Sequence, residues 1–215
     1  MQTAKLATVV PLQRRAERPP DVESAALAAL VERKATLTAA LDDMCARASN
    51  LSEAATIIID ALRAGGRVLI AGNGGSAAEA QHFATELVGR FKRDRDAYAA
   101  IALTADTAIL TALANDFGYE EVFARQVVAY GRRGDVLVAF STSGESENLI
   151  RAALTARSRE IVVVAVTGGR PSRLTAVADL AIRVPVVDTP LAQELHTVVL
   201  HVICDLVESS LAAQA

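Results

Sequence analysis

Tryptophan is absent and aromatic residues make up only 4% of the chain, too few for a base-stacking platform. Positive charge is not in excess: 22 Lys and Arg stand against 25 Asp and Glu, a formal net charge of −3. Such a balance gives no electrostatic footprint for nucleic acid. Cysteine is scarce. Cys45 and Cys204 do not make a disulfide framework, so a reducing cytoplasm is the default compartment. Long hydrophobic runs are also missing. Stretches such as 161–166 are too short to span a bilayer, and no membrane partner is expected. Near the N-terminus Lys5 precedes a short apolar stretch, but Arg14, Arg15, Arg18, Pro19 and Pro20 follow where a small-residue cleavage site would stand. A signal peptide is therefore rejected.

What is present describes a globular chain. Its 215 residues are 52% hydrophobic and 22% charged, which excludes wholesale disorder. At roughly 100–200 residues per domain, one domain with an arm is expected. Residues 1–21 read as a flexible N-terminal extension ended by Pro19 and Pro20, and 22–215 as a single domain. A long amphipathic helix opens that domain, with Leu27, Leu30, Val31, Leu37, Leu41 and Met44 at helical spacing. Its stripe must bury somewhere, within the chain or against another subunit. A second helix over 51–64 stops at Gly65 and Gly66.

Beyond that point short β-rich runs alternate with helical stretches. Strands are expected at 67–71, 99–103, 135–140, 161–166 and 180–184. Helices are expected near 76–91, 107–114, 120–130, 145–156, 171–177 and 190–212. Continuous apolar strands alternating with helices indicate a parallel sheet covered on both faces. The fold class is therefore α/β, a three-layer α-β-α sandwich around a five-stranded parallel sheet. Ligands of such sheets bind at the C-terminal ends of the strands.

The loops at those ends carry the informative residues. Gly72-Asn73-Gly74-Gly75-Ser76 joins the first strand to a helix. Glycines there let the backbone approach a ligand, and the helix N-terminus offers unpaired N–H groups to an anion. The loop also fits a loose dinucleotide fingerprint, but no acidic residue ends the second strand; Asp106 is the nearest. Ser141-Thr142-Ser143-Gly144-Glu145-Ser146 follows the third strand. One serine would suffice to cap the next helix. Four hydroxyls in six residues suit a phosphate held by hydroxyls, loop N–H groups and a helix dipole without any lysine.

The histidines fall in two places. His82 has Glu86 one turn later on the same helical face; His196 and His201 lie on the last helix, with Gln193 ahead of them. His and carboxylate at this spacing suit a divalent transition ion, preferably zinc, though taken alone such a pair is more often a surface pair. Gln193 and His201 are separated by ~12 Å of rise and roughly 80° of rotation on a straight helix. Either that helix bends, or one of the two serves a site in a neighbouring subunit. Asn115-Asp116-Phe117-Gly118 ends a short helix, with Gly118 a plain C-cap. Glu79 and Glu145 read as solvated charges at helix starts.

With these motifs in this order and spacing, the sequence resembles the sugar isomerase (SIS) domain family. Within it, the sequence is similar to the sedoheptulose-7-phosphate (phosphoheptose) isomerases over about residues 25–212. Ser-Thr-Ser-Gly alone marks a phosphosugar-binding domain; His82, Glu86, Gln193 and His201 together are more specific. The segment 188–192 lacks an Arg-Ile that many relatives carry ahead of the Gln, and Asp188 is a candidate substrate contact there. The resemblance implies an aldose–ketose isomerase. It would convert D-sedoheptulose 7-phosphate to D-glycero-D-manno-heptose 7-phosphate, the first step toward nucleotide-activated heptoses.

It further implies one zinc ion per subunit, held by His82, Glu86, Gln193 and His201. Ser76, Ser141, Ser143 and Ser146 would hold the phosphate, and Asn73, Asp116 and Thr142 the sugar. Gly74, Gly75, Glu86 and Gln193 complete the expected substrate contacts. Homotetramers with active sites at subunit interfaces are implied as well. Moving a proton between C1 and C2 through an enediolate needs a base and a charge stabiliser. Glu86 and His201 are the available acid–base groups, and zinc would act as a Lewis acid. Three rivals are a non-catalytic SIS protein that binds a partner, as in replication-initiation regulation, a phosphosugar sensor, and a dinucleotide enzyme. The metal-type set, the lack of an added DNA-binding domain and the missing ribose carboxylate speak against them in turn.

Overall fold

The computed structural model describes residues 21–212, so all but the last residue of the expected N-terminal extension lies outside the described residues. The chain divides into two compact units between Thr38 and Ala39. In the first, the described residues belong to helix α1 (Val22–Cys45), and Leu27, Leu30 and Val31 of the expected stripe are exposed. In the second unit, Ala40 and Met44 near the end of the same helix are buried.

The second unit is a doubly wound α/β sandwich. Its elements follow in order: α2 (Ala48–Arg63), β1 (Val68–Gly72), α3 (Gly75–Val88), β2 (Ala100–Ala102), α4 (Thr107–Phe117), a 3₁₀ turn (Tyr119–Glu121), α5 (Val122–Tyr130), β3 (Val136–Ser141), α6 (Glu147–Ser158), β4 (Val162–Thr167), α7 (Arg173–Val177), β5 (Leu180–Arg183) and α8 (Thr189–Leu211). All strand pairs are parallel, in the spatial order β2-β1-β3-β4-β5. In register, Ile70 lies beside Val138 and Val138 beside Val164.

Alternation along the strands sends side chains to two cores. Leu69, Ala71, Leu137, Ala139, Val163 and Ala165 join one cluster with Phe123 and Val127 of α5 and Leu149 and Ala153 of α6. The other face packs against α3 and α8, where Phe83 and His196 meet Phe140 of β3. A right-handed chain that reverses its winding at β1 must change faces, which places α3 opposite α5 and α6. Each fully buried Val, Leu or Ile contributes about 1.5–3 kcal/mol relative to exposure. Helix α8 is long and apolar enough, by length and composition, to cross a bilayer. Its apolar character has a closer cause: Leu195, Val199, Leu200, Ile203 and Val207 are all buried within the domain.

Candidate functional site

The winding reverses between β1 and β3, and this is where an open α/β sheet leaves a crevice. The Gly72–Ser76 and Ser141–Ser146 loops face each other across it and line a cavity of about 280 Å³. Two glycines make the first loop possible. A Cβ on Gly72 would come 2.6 Å from the carbonyl carbon of Ser76, and one on Gly75 would come 2.6 Å from Cδ of Gln193. Gln193, on the first turns of α8, thus covers the loop from above and lines the same cavity.

Asn73 ties the two sides together. Its amide donates to Oδ1 of Asn148 at 2.9 Å, and Asn148 returns the bond at 2.9 Å. The Tyr119 hydroxyl also donates to Oδ1 of Asn73 at 2.9 Å. Asn148 and Tyr119 were not among the expected site residues. Nothing in their local spacing marks them: Asn148 meets Asn73 through the pairing of β1 with β3, and Tyr119 reaches it from the turn after α4. Asp116 is exposed at the end of α4, where its carboxylate accepts from Asn115 at 2.7 Å, and it does not line the cavity. Asp188 caps α8, accepting from Leu191 N at 3.2 Å.

The second loop spends its oxygens inward and keeps its hydroxyl hydrogens. Ser141 Oγ accepts from Gly144 N at 3.0 Å, and Ser143 Oγ accepts from Glu145 N at 3.2 Å. Ser146 is the N-cap of α6, yet its side chain makes no capping hydrogen bond. Ser76, Thr142 and Ser146 line the cavity with them. Hydroxyls that accept from their own loop and still hold a free O–H can donate to an anion. The helix N-termini of α3 and α6 open at the same place.

A second group gathers farther along α3. His82 Nε2 lies 3.0 Å from Glu86 Oε1, and His201 Nε2 lies 3.3 Å from His82 Nε2. One ligand atom from each of the three residues falls within 4.8 Å of the others, a set able to hold a metal ion. All three come from one chain. Gln193 stands over Gly75, in the other cavity. The His201 ring meets His82 edge-on at 4.9 Å between centroids and stacks on Phe91 at 5.1 Å. Burial holds the His201 ring below the ordinary histidine range; His82 and Lys92 push the same way and Glu86 opposes them.

Glu79 corrects an expectation. The expected solvated charge is buried instead, with Oε2 3.4 Å from Nδ1 of the fully buried His196. The approach lacks hydrogen-bond geometry, and neither Oε2 nor either ring nitrogen has a hydrogen-bond partner. Its signal lay one turn before it: Ser76 and Glu79 share a face of α3, as Gln193 and His196 share one of α8. The pair therefore lies beneath the cavity floor.

Comparison with known proteins agrees with this architecture. A family model described as SIS domain matches residues 34–168. A phosphoheptose isomerase of Helicobacter hepaticus is 48% identical over 159 residues, 74% of this chain and 81% of its own. Another, of Citrifermentans bemidjiense, is 47% identical over 186 residues, 85% of this chain and 97% of its own. The chain belongs to the phosphoheptose isomerase family. Among solved structures, a phosphoheptose isomerase from Neisseria gonorrhoeae superposes with a TM-score of 0.80 at 38% identity, covering 85% of this chain and 98% of that one. A phosphoheptose isomerase from Francisella tularensis gives 0.77 at 34% identity, covering 84% and 98%.

Proposed function

We propose that this chain isomerises D-sedoheptulose 7-phosphate to D-glycero-D-manno-heptose 7-phosphate, supplying precursor for nucleotide-activated heptose. The observation that carries the reading is the meeting of His82, Glu86 and His201 within 4.8 Å in a chain of this family. Residues 22–215 are taken as a single SIS domain that includes the N-terminal helices.

The phosphate is assigned to the first cavity. Ser76, Ser141, Ser143 and Ser146 donate to its oxygens, aided by the N-terminal end of α3. Asn73, Thr142 and Gln193 are assigned to the sugar hydroxyls, and Asp116 to a contact at the open side. The reaction needs no external oxidant. A proton leaves C1 of the ketose, an enediolate forms, and a proton arrives at C2; the hydroxyl proton passes from O1 to O2. Glu86 and His201 are the groups assigned to these transfers.

The donor set of two imidazoles and a carboxylate fits zinc, one ion per subunit. His82, Glu86 and His201 would hold it, with Gln193 as the fourth ligand read from the family resemblance. When bound, the ion supplies Lewis-acid polarisation of the substrate's oxygens. We also propose a cytoplasmic homotetramer with active sites at subunit interfaces. The two cavities support it, since the one bordered by His201 shares no lining residue with the serine cavity. The exposed Leu27, Leu30 and Val31 of α1 support it too.

The test is direct: purified protein is incubated with sedoheptulose 7-phosphate, with and without a chelator, and the aldose phosphate is assayed. Aldose formation that is lost with chelator and restored by zinc supports the reading. Absence of aldose under all conditions overturns it.

A further inference from the structure

Residues 89–96 follow α3 without regular structure, yet they are tightly held. Glu208, near the end of α8, is fully buried. Its carboxylate accepts from the backbone N–H of Phe91 at 2.7 Å, Lys92 at 2.9 Å and Arg93 at 3.0 Å. Arg95 completes the arrangement, donating from Nε to Glu208 at 3.1 Å and pairing through Nη2 at 3.0 Å. The same guanidinium donates to the carbonyls of Glu86, Leu87, Gly89 and Asp96 at 2.8–3.0 Å. Every one of these bonds involves a charged group, the stronger kind of hydrogen bond.

The segment so fixed delivers one side chain to the chemistry. Phe91 lies against the His201 ring with an interplanar angle of 22°, while His82 meets the same ring edge-on at 81°. His201 and Glu208 are two turns apart on one face of α8, so the helix that carries the imidazole also carries the anchor of the segment covering it. Two contacts on different sides leave an imidazole little freedom about its side-chain torsions.

We propose that Phe91 and Glu208 are positioning residues: Glu208 fixes the 89–96 segment so that Phe91 sets the orientation of the His201 ring toward the reacting carbons. This rests on the assignment of His201 to proton transfer. Neither residue touches the substrate in this account; both act through His201.

The chain has only three histidines, so their ring C–H resonances can be assigned by single substitution. A ring stacked under phenylalanine is shifted upfield. In the full-length protein, Phe91→Leu should move the His201 resonances downfield and lower kcat about 10–100-fold while changing KM less than about twofold. Phe91→Tyr should restore both. Glu208→Gln should act in the same direction, and Phe91→Leu keeps the inference testable if that variant does not fold. A downfield shift with kcat unchanged, or unshifted resonances in a folded Phe91→Leu protein, overturns the proposal. Wild-type protein inactive on sedoheptulose 7-phosphate would instead defeat the functional reading; the ring resonances would then decide alone whether Phe91 fixes His201.

Discussion

Glu79 and His196 face each other at 3.4 Å in the buried seam between α3 and α8. They join α3 to α8 one helical turn below Ser76 and Gln193, so the walls of the serine cavity are coupled through a polar pair rather than through methyl groups. At 3.4 Å the carboxylate and the imidazole still attract each other electrostatically without a hydrogen bond, and removing either strands the other in the interior at a cost of about 1–3 kcal/mol. Glu79→Leu or His196→Leu alone should therefore lower unfolding free energy by that order. The Glu79→Leu, His196→Leu double variant should lose less than the sum, as urea denaturation would measure. Strict additivity would show that the two residues do not act on each other.

The serine loop should reveal itself in KM. Ser141 and Ser143 use their oxygens to accept loop N–H groups and retain hydrogens for donation. A hydrogen bond to a charged group is worth roughly 1.5–3 kcal/mol. Ser143→Ala should raise KM by about tenfold or more, and the Ser141→Ala, Ser143→Ala pair further, with circular dichroism unchanged. Unaltered KM in both would reduce these hydroxyls to stabilisers of the turn.

Subunit mixing separates what one chain holds from what two must share. Glu86 and His201 lie in the same cluster of one chain. Mixed Glu86→Gln and His201→Ala subunits should therefore stay inactive after exchange, each single variant having lost about 10²–10⁴-fold in kcat. Glu86→Gln mixed with the double serine variant should regain activity if one subunit's serine cavity works with its neighbour's cluster. The turnover of both mixtures, with exchange verified by mass, is the measurement.

Acid should strip the Glu208 anchor. Burial would raise this carboxyl, but the N–H groups of Phe91, Lys92 and Arg93 together with Arg95 outweigh it and hold the value below the ordinary 4.5. A group lowered in the folded state stabilises fully above its unfolded value and loses that contribution as pH falls through the folded value. The stability difference between wild type and Glu208→Gln should be largest near neutrality and shrink below pH 4.5. A difference independent of pH would contradict the ionised anchor.

The sheet was legible because its three central strands are buried on both faces and carry no alternation to misread. All five fell within a residue or two of their expected positions. The end of α3 was less so. Apolar periodicity carries the helix toward Phe91, but it stops at Val88, because the carbonyls there are taken by Arg95 and the next N–H groups by Glu208, distant in sequence. His82 and Glu86 were readable from i,i+4 spacing, and His201 by family resemblance. The meeting of His201 with them is a matter of α3–α8 packing, which no local pattern encodes. Glu79 was misread for the same reason: a helix-start carboxylate looks solvated until the helix that buries it is known.

All of Gln193, His196, His201, Asp205 and Glu208 are carried by α8, the last helix among the described residues. Ribosomal synthesis therefore finishes every strand and both glycine- and serine-bearing loops before any of these groups exists. A chain interrupted between Arg183 and Thr189 would lack His201 and would leave Phe140 without its His196 contact. Such a product carries the mark of its own incompleteness, since the helix that brings His201 also covers apolar surface with Leu195, Val199, Leu200, Ile203 and Val207. His201 thus arrives with the same helix that closes the core.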